Sequence, residues 1–145
     1  MPLHRRTLSL FEHLICTEQL SRRLGFRVGE ELIRVVRVRS LNGNARQVDH
    51  GYFLESIAKG LTPEIAAKSI YDYLEHKRGV KVMASRRTVS VELANDEDCS
   101  YLDLGKYNCV AVMESQSYTS DGILFEVTHA RTHPEIFHYR VNSKR

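Results

Sequence analysis

The feature that most constrains the fold of this chain is a hairpin pattern in its first third. The run 32–41 is rich in β-branched residues and stops at Asn42-Gly43, after which a second run of strand-forming residues begins. Val and Ile favour strands, and Asn-Gly between apolar runs is a strong signal for a β-hairpin. The sequence therefore predicts two antiparallel strands over residues 31–41 and 46–54.

Two arginines lie close together on the first of these strands. Side chains two residues apart on a strand share a face, which groups Ile33, Val35, Arg37 and Arg39. Neighbouring guanidinium groups repel each other unless water screens them or an anion lies between them. Guanidinium groups bind phosphate and carboxylate through paired hydrogen bonds. The strand alone leaves a solvated face and an anion site equally open.

The rest of the chain predicts an α+β domain with a mostly antiparallel sheet and about three helices. Capping residues precede helices predicted over 18–24 and 70–77, and an acidic run begins a third helix predicted over 95–102. Further strands are predicted over 7–15, 81–94, 109–119, 123–132 and 136–141. The second hairpin turns at Ser120-Asp121-Gly122, and the two hairpins together suggest an internal duplication. No linker interrupts the pattern, so we expect one domain over residues 1–145.

Composition limits the classes of function. The net charge of +3 is small, and basic residues are dispersed, which argues against direct nucleic-acid binding by this chain. The three cysteines are odd in number and widely spaced, as expected for reduced thiols in the cytoplasm. No apolar run is long enough to cross a membrane. We expect a cytoplasmic domain that needs no cofactor.

Four further residues are candidates for ligand contacts. Asp49 follows the Asn-Gly turn in the partner strand, and Glu126 lies within a predicted strand, where a carboxylate needs a polar partner. Ser69 opens a helix, and helix N-termini bind anions, although for Ser69 considered alone a simple capping role is the better explanation. Tyr71 presents a hydroxyl to a ligand or packs in the core.

The order of these features resembles the UTRA effector-binding domain of GntR-family transcription regulators of the HutC subgroup. The resemblance covers residues 20–141, and the stretch 48–53 is most similar to regulators of phosphonate-utilisation operons. The matching segments are Val36-Arg-Val-Arg-Ser-Leu-Asn-Gly43, Val48-Asp-His-Gly-Tyr-Phe53, Ser69-Ile-Tyr-Asp-Tyr-Leu-Glu75 and Thr119-Ser-Asp-Gly-Ile-Leu-Phe-Glu126.

This resemblance implies a chorismate-lyase-like fold that acts as a sensor rather than an enzyme. It assigns Arg37, Arg39 and Ser69 to the anionic group of a small metabolite. It assigns Asp49, Tyr71 and Glu126 to the rest of that molecule. It also implies a homodimer that contacts DNA only through a winged helix–turn–helix, a pattern that we do not find in this chain.

The residues leave two alternatives open. Glu126 and Arg37 resemble the acid and arginine of a lyase, so an enzyme acting on a small organic acid is the first alternative. His129, His133 and His138 lie near Glu135 in the sequence, but their spacing matches no standard zinc pattern. The departure from the family pattern around 131–135 suggests Arg131 or His133 as an additional cationic contact.

Overall fold

A computed structural model describes residues 3–144 of the chain. Its strands are β1 (His4–Ile15), β2 (Glu31–Leu41), β3 (Asn44–Leu54), β4 (Val82–Leu93), β5 (Cys109–Thr119) and β6 (Leu124–Thr132). Its α-helices are α1 (Glu18–Leu24), α2 (Pro63–Ala66), α3 (Ile70–Asp72) and α4 (Asp96–Tyr101). Helix α3 continues directly into a π-helical turn, Tyr73–Lys77. None of the helices in the described residues is long and apolar enough to span a lipid bilayer.

The six strands form a single antiparallel sheet in the order β1-β2-β3-β6-β5-β4. Each half of the sheet contains a strand, a short helix and a hairpin, with α1 in the first half and α4 in the second. Strands β3 and β6 join the halves at the centre. The predicted α+β class is confirmed, and the repeated element order agrees with the internal duplication suggested by the two hairpins.

Alternation along the central strands divides the sheet into two faces. Arg37 is paired with Asp49 across β2 and β3, and we call their side the Arg37 face. His50 is paired with His129 across β3 and β6, and we call the opposite side the His50 face. Helix α3 approaches the Arg37 face, whereas α1 and α4 flank a cleft on the His50 face.

Two apolar clusters hold these layers together. The larger cluster joins the helical segment around Ile70 and Leu74 to the sheet residues Phe53 and Phe125. The smaller cluster packs the segment after α4, through Leu102, against the sheet. Phe53 is among the largest fully buried side chains, so its ring is fixed beside the cavity described below.

Two details differ from the sequence-based expectations. Helix α2 is a fourth helix, which Thr62 caps by accepting a hydrogen bond from the Ile65 amide at 3.2 Å. The strand predicted over 136–141 was wrong, because this segment has no strand conformation. Strand β6 is already paired on both sides, and the Ile136 amide donates to the His133 carbonyl in a turn. Pro134 within this turn has no amide to contribute to a ladder.

Candidate functional site

A cavity of about 160 Å³ on the Arg37 face brings together four of the six predicted ligand-binding residues. The four are Arg37 from β2, Asp49 from β3, Tyr71 from α3 and Glu126 from β6. Strand alternation directs the first, second and fourth toward one face, and α3 carries Tyr71 over them. The cavity is also lined by Val35, Gly51, Phe53 and Thr128.

Gly51 lines the floor of this cavity. It lies between Val35 on β2 and Thr128 on β6 in one row across the sheet. A Cβ atom at position 51 would lie 2.9 Å from Cε2 of Phe53, closer than side-chain packing allows. The missing side chain therefore makes room for the Phe53 ring, which also lines the cavity.

The acidic side of the cavity is a carboxylate paired with a phenol. The Tyr71 hydroxyl donates to Glu126 Oε1 at 3.0 Å, although Tyr71 is 52% exposed and Glu126 only 2% exposed. Burial raises the pKa of Glu126, and hydrogen bonds from Tyr71 and Ser117 together with the charge of Arg37 oppose that shift. Burial and the neighbouring carboxylate raise the pKa of Tyr71 to about 12. The pair therefore offers a hydrogen-bond acceptor to a ligand hydroxyl or amine.

The basic side of the cavity is an arginine without a bonded counter-ion. Among the described residues, Arg37 forms no ion pair. Burial, followed by repulsion from Arg6, lowers the pKa of the Arg37 guanidinium, while Asp49 and Glu126 oppose this shift. Asp49 accepts a hydrogen bond from Gln47 Nε2 at 2.9 Å. An anion in contact with Arg37 would relieve both the desolvation and the repulsion.

The other two predicted residues lie outside this cavity. Arg39 lines an adjacent cavity of about 450 Å³ on the same face, and its NH2 atom is 3.4 Å from His4 Nδ1. Ser69 caps α3, because its hydroxyl accepts the Asp72 amide at 3.2 Å. The structure thus shows the capping role that the sequence left open, and the ligand role of Ser69 stays a prediction.

Several residues beside the cavity were missed by the sequence analysis. Arg87 on β4 lies in the same row as Gly51 and Thr128, through its pairing with Ser115. Its charge lowers the pKa of the Tyr71 hydroxyl against the stronger effects that raise it. The alternation of β4 placed Arg87 on one face of a strand, but only the sheet order brings β4 to this site.

The cationic and metal-binding alternatives have no support at this site. Arg131 lies on the His50 face, where its Nε and NH2 atoms donate to Asp98 at 2.7 and 2.9 Å. His133 is buried against the ring of Tyr107, with ring centroids 4.9 Å apart. His129 instead contacts Glu114. Within residues 3–144, no three His, Cys, Asp or Glu side chains lie close enough to hold a metal ion.

Comparison with known proteins identifies the family. Residues 4–138, almost the whole chain, match the UTRA domain. The chain belongs to the UTRA family. The HTH-type transcriptional regulator TreR of Bacillus subtilis is 28% identical over 123 residues, which cover 85% of this chain and 52% of TreR. The HTH-type transcriptional regulator YydK of the same organism is 31% identical over 88 residues, which cover 61% of this chain and 37% of YydK. The matched part of this UTRA domain thus spans about half the length of TreR and a smaller share of YydK.

Solved UTRA structures share the same architecture. The effector binding domain of the B. subtilis trehalose repressor TreR superposes with a TM-score of 0.90 at 26% identity, covering 97% of each chain. The effector domain of PhnF from Mycobacterium smegmatis gives a TM-score of 0.84 at 16% identity, covering 99% of this chain and 89% of that one. The second likeness shows the fold alone. These relatives are transcription regulators and not enzymes, so the lyase alternative has no support among them.

Proposed function

We propose that this UTRA domain is the effector-binding domain of a bacterial GntR-family regulator of the HutC subgroup, and that it acts in the cytoplasm. Its effector is a small anionic metabolite carrying a phosphate, phosphonate or carboxylate group. DNA contact is made by a winged helix–turn–helix outside this chain. Family membership and the likeness to the TreR effector binding domain support the regulatory role.

The observation that carries the choice of effector is that Arg37 is desolvated and forms no ion pair with any other described residue. The anionic group lies between Arg37 and Arg39, whose side chains share one face of β2, with Ser69 as an additional contact. Two charged hydrogen bonds at roughly 1.5–3 kcal/mol each supply a large part of the approximately 8 kcal/mol of a micromolar complex. Asp49, Tyr71 and Glu126 contact the rest of the molecule, so the effector carries hydroxyl or amino groups beside its anion.

Regulation follows from dimerisation. We infer that the domain forms a homodimer through β4, an edge strand whose residues are exposed along its whole length. Val91 and Leu93 are 72% and 75% exposed on the Arg37 face of this strand, and such apolar exposure is typical of an interface. Because Arg87 lies on the same strand beside the effector cavity, bound effector shifts the position of β4 and the arrangement of the two subunits.

A thermal-shift screen tests the effector class. The purified domain is exposed separately to trehalose, phosphorylated sugars, phosphonates, phosphate, sulfate and organic acids. A ligand at one hundred times its dissociation constant adds about 2.7 kcal/mol to the free energy of unfolding. We expect one chemical class of anion to raise the melting temperature of the wild type and to have no effect on Arg37→Ala.

Arg39→Ala and an exposed control, Glu75→Gln, complete the experiment. Loss of the shift in both arginine variants, with normal unfolding in the absence of ligand, supports a shared anion site. Equal affinity in wild type and both variants removes these residues from the site. Turnover of chorismate that is lost in Glu126→Gln would favour the lyase alternative instead.

A further inference from the structure

A large cleft on the His50 face is separate from the effector cavity. Its volume is about 660 Å³, within the range of small-molecule sites. Helix α1 contributes Leu20 and Arg23 on one side, and the region of α4 contributes Asn95 and Glu97 on the other. The sheet between them forms the floor, so this cleft lies behind the strands that carry Arg37 and Glu126.

The floor of the cleft contains two histidine–carboxylate pairs. His50 and His129 are direct neighbours on β3 and β6. His50 Nε2 lies 3.2 Å from Glu97 Oε1, and His129 Nε2 lies 3.2 Å from Glu114 Oε2. Each contact uses one carboxylate oxygen, and in the described residues neither glutamate forms an ion pair with Lys or Arg. Burial lowers the pKa of His50, so this histidine leaves the charge of Glu97 uncompensated at neutral pH.

A donor without an acceptor lies on the other side of the cleft. Arg34 Nε is buried and has no hydrogen-bond partner among the described residues. The guanidinium of Arg34 lies 3.5 Å from Glu12, a long contact, and 5.8 Å from the centre of the Tyr52 ring. Arg23 also lines the cleft and forms no ion pair in residues 3–144. A buried donor without a partner costs free energy, and the long contact with Glu12 leaves the Arg34 charge only partly neutralised.

The remaining arginine of the cleft is fully engaged. Arg131 is bonded to Asp98 and lies 3.0 Å from Glu92. The charges that are least neutralised are therefore separated: carboxylate oxygens of Glu97 and Glu114 lie at the histidine pair, and the guanidinium groups of Arg23 and of Arg34, whose contact with Glu12 is long, lie toward α1. A ligand that satisfies both needs a cationic group and an anionic group within one small molecule.

We propose that this cleft binds a small zwitterion, an α-amino acid or a short peptide. Its ammonium group contacts Glu97 and Glu114 above the two imidazoles. Its carboxylate accepts hydrogen bonds from the guanidinium groups of Arg34 and Arg23. The side chain of the ligand lies against Leu14 and Val112 in the remaining volume. This site is independent of the anion site proposed on the Arg37 face.

The test measures binding of single compounds to the same protein by calorimetry and thermal shift. The probes are the twenty proteinogenic L-amino acids and glycylglycine, each compared with an amine and a carboxylic acid of similar size. We expect at least one zwitterion to raise the melting temperature while its two monofunctional analogues do not. In histidine side-chain NMR spectra, the same zwitterion should move the resonances of His50 and His129 and leave that of the exposed His76 in place.

Variants assign the site. Glu114→Gln keeps the shape and removes the charge, so we expect about a tenfold or larger loss of affinity for the zwitterion. Glu75→Gln, an exposed matched change on the other face, should leave affinity within about twofold. If Glu114→Gln fails to fold, Arg34→Gln provides the same comparison from the opposite end of the ligand.

Three results would overturn the proposal. The first is that no zwitterion in the panel moves the melting temperature or the two histidine resonances. The second is that the amine or the acid alone binds as tightly as the zwitterion. The third is binding that survives Glu114→Gln and Arg34→Gln but is lost in Arg37→Ala, which would place the compound in the effector cavity.

Discussion

At the scale of single residues, this domain keeps several charged groups in surroundings that disfavour their charge. Arg37 is desolvated and has no ion pair within residues 3–144, and Glu126 is almost fully buried beside a phenol. A core built only for stability replaces such groups with apolar side chains. Their presence on one wall of a cavity fits a site that is completed by a ligand, in which stability is lower before binding than after it.

The raised pKa of Glu126 predicts a pH dependence of stability. Below the ordinary carboxyl pKa, both the folded and unfolded states hold the proton. As pH rises through the ordinary value, the unfolded chain releases its proton first, so the free energy of unfolding falls until the raised folded-state pKa is passed. Glu126→Gln keeps a hydrogen-bond acceptor for the Tyr71 hydroxyl and removes this pH-dependent fall in the free energy of unfolding. We expect the variant to be more stable than wild type at pH 7 and equal to it at pH 4.

Urea unfolding from pH 4 to pH 8 measures this difference. Glu75→Gln changes an exposed carboxylate on the helical segment and should follow the wild-type curve. A Glu126→Gln variant that is less stable than wild type at pH 7 would show that the ionised carboxylate stabilises the free protein.

At the scale of elements, short helices position charged groups that form hydrogen bonds with side chains of the strands. Helix α4 has only six residues, yet Asn95 and Asp98 form a reciprocal capping box. Asp98, which is 1% exposed, also receives two hydrogen bonds from Arg131 of β6. The helix start and the central strand are therefore linked through one buried carboxylate.

Removal of Arg131 should destabilise the domain strongly. Arg131→Ala leaves the buried carboxylate of Asp98 without its cation, and such losses cost about 3–5 kcal/mol. Glu92→Ala removes the other, half-exposed partner of the same arginine and should cost no more than about 1 kcal/mol. Chemical denaturation of both variants tests the contrast. Similar costs for the two variants would mean that burial does not decide the strength of this pair.

Gly51 provides a test of the cavity floor within β3. Gly51→Ala forces the Phe53 ring to move and so changes the shape of the cavity that this ring lines. We expect a stability cost of about 1–3 kcal/mol and at least about a tenfold loss of effector affinity. Calorimetry with the best anion from the screen measures the affinity. Unchanged affinity would show that the effector does not reach the floor.

The elements also show which parts of the secondary structure can be predicted from local sequence signals. Thr17 and Asn42-Gly43 predict a helix start and a turn because their hydrogen bonds are local. The segment 70–77 was predicted as one helix, but its hydrogen bonds shift after α3, with the Arg78 amide donating to the Tyr73 carbonyl. No periodic pattern distinguishes an α-turn from a π-turn. The strand predicted over 136–141 failed because a strand also needs a free neighbouring edge.

At the scale of the whole molecule, the sheet order determines which residues meet. Tyr71 and Glu126 are 55 residues apart in sequence and share a hydrogen bond because β6 lies at the centre of the sheet. The strand pattern alone grouped Arg37 with Arg39. Their division between two adjacent cavities, and the presence of Arg87 near Tyr71, depend on packing between distant segments, which single-strand patterns do not contain.

The proposed dimer is tested by disrupting its apolar surface. Val91→Lys together with Leu93→Glu introduces charges into the exposed surface of β4, where they oppose close packing of two copies. We expect sedimentation equilibrium to show a dimer for wild type and a monomer for the double variant. Val28→Lys, at an exposed valine away from β4, should leave the dimer intact. A wild-type monomer at all concentrations would contradict the proposal.

The alternation of β3 has a consequence for how this sequence can change. Asp49 and Gly51 face the effector cavity, whereas His50 and Tyr52 face the opposite cleft. A substitution at any one of these positions alters one side only. Insertion or deletion of a single residue would slip the register and exchange the two sets of side chains at once. Substitutions in β3 can therefore change one side of the sheet at a time, whereas a change in its length alters both sides. Among relatives, we expect differences in length to lie in the turns at either end of β3.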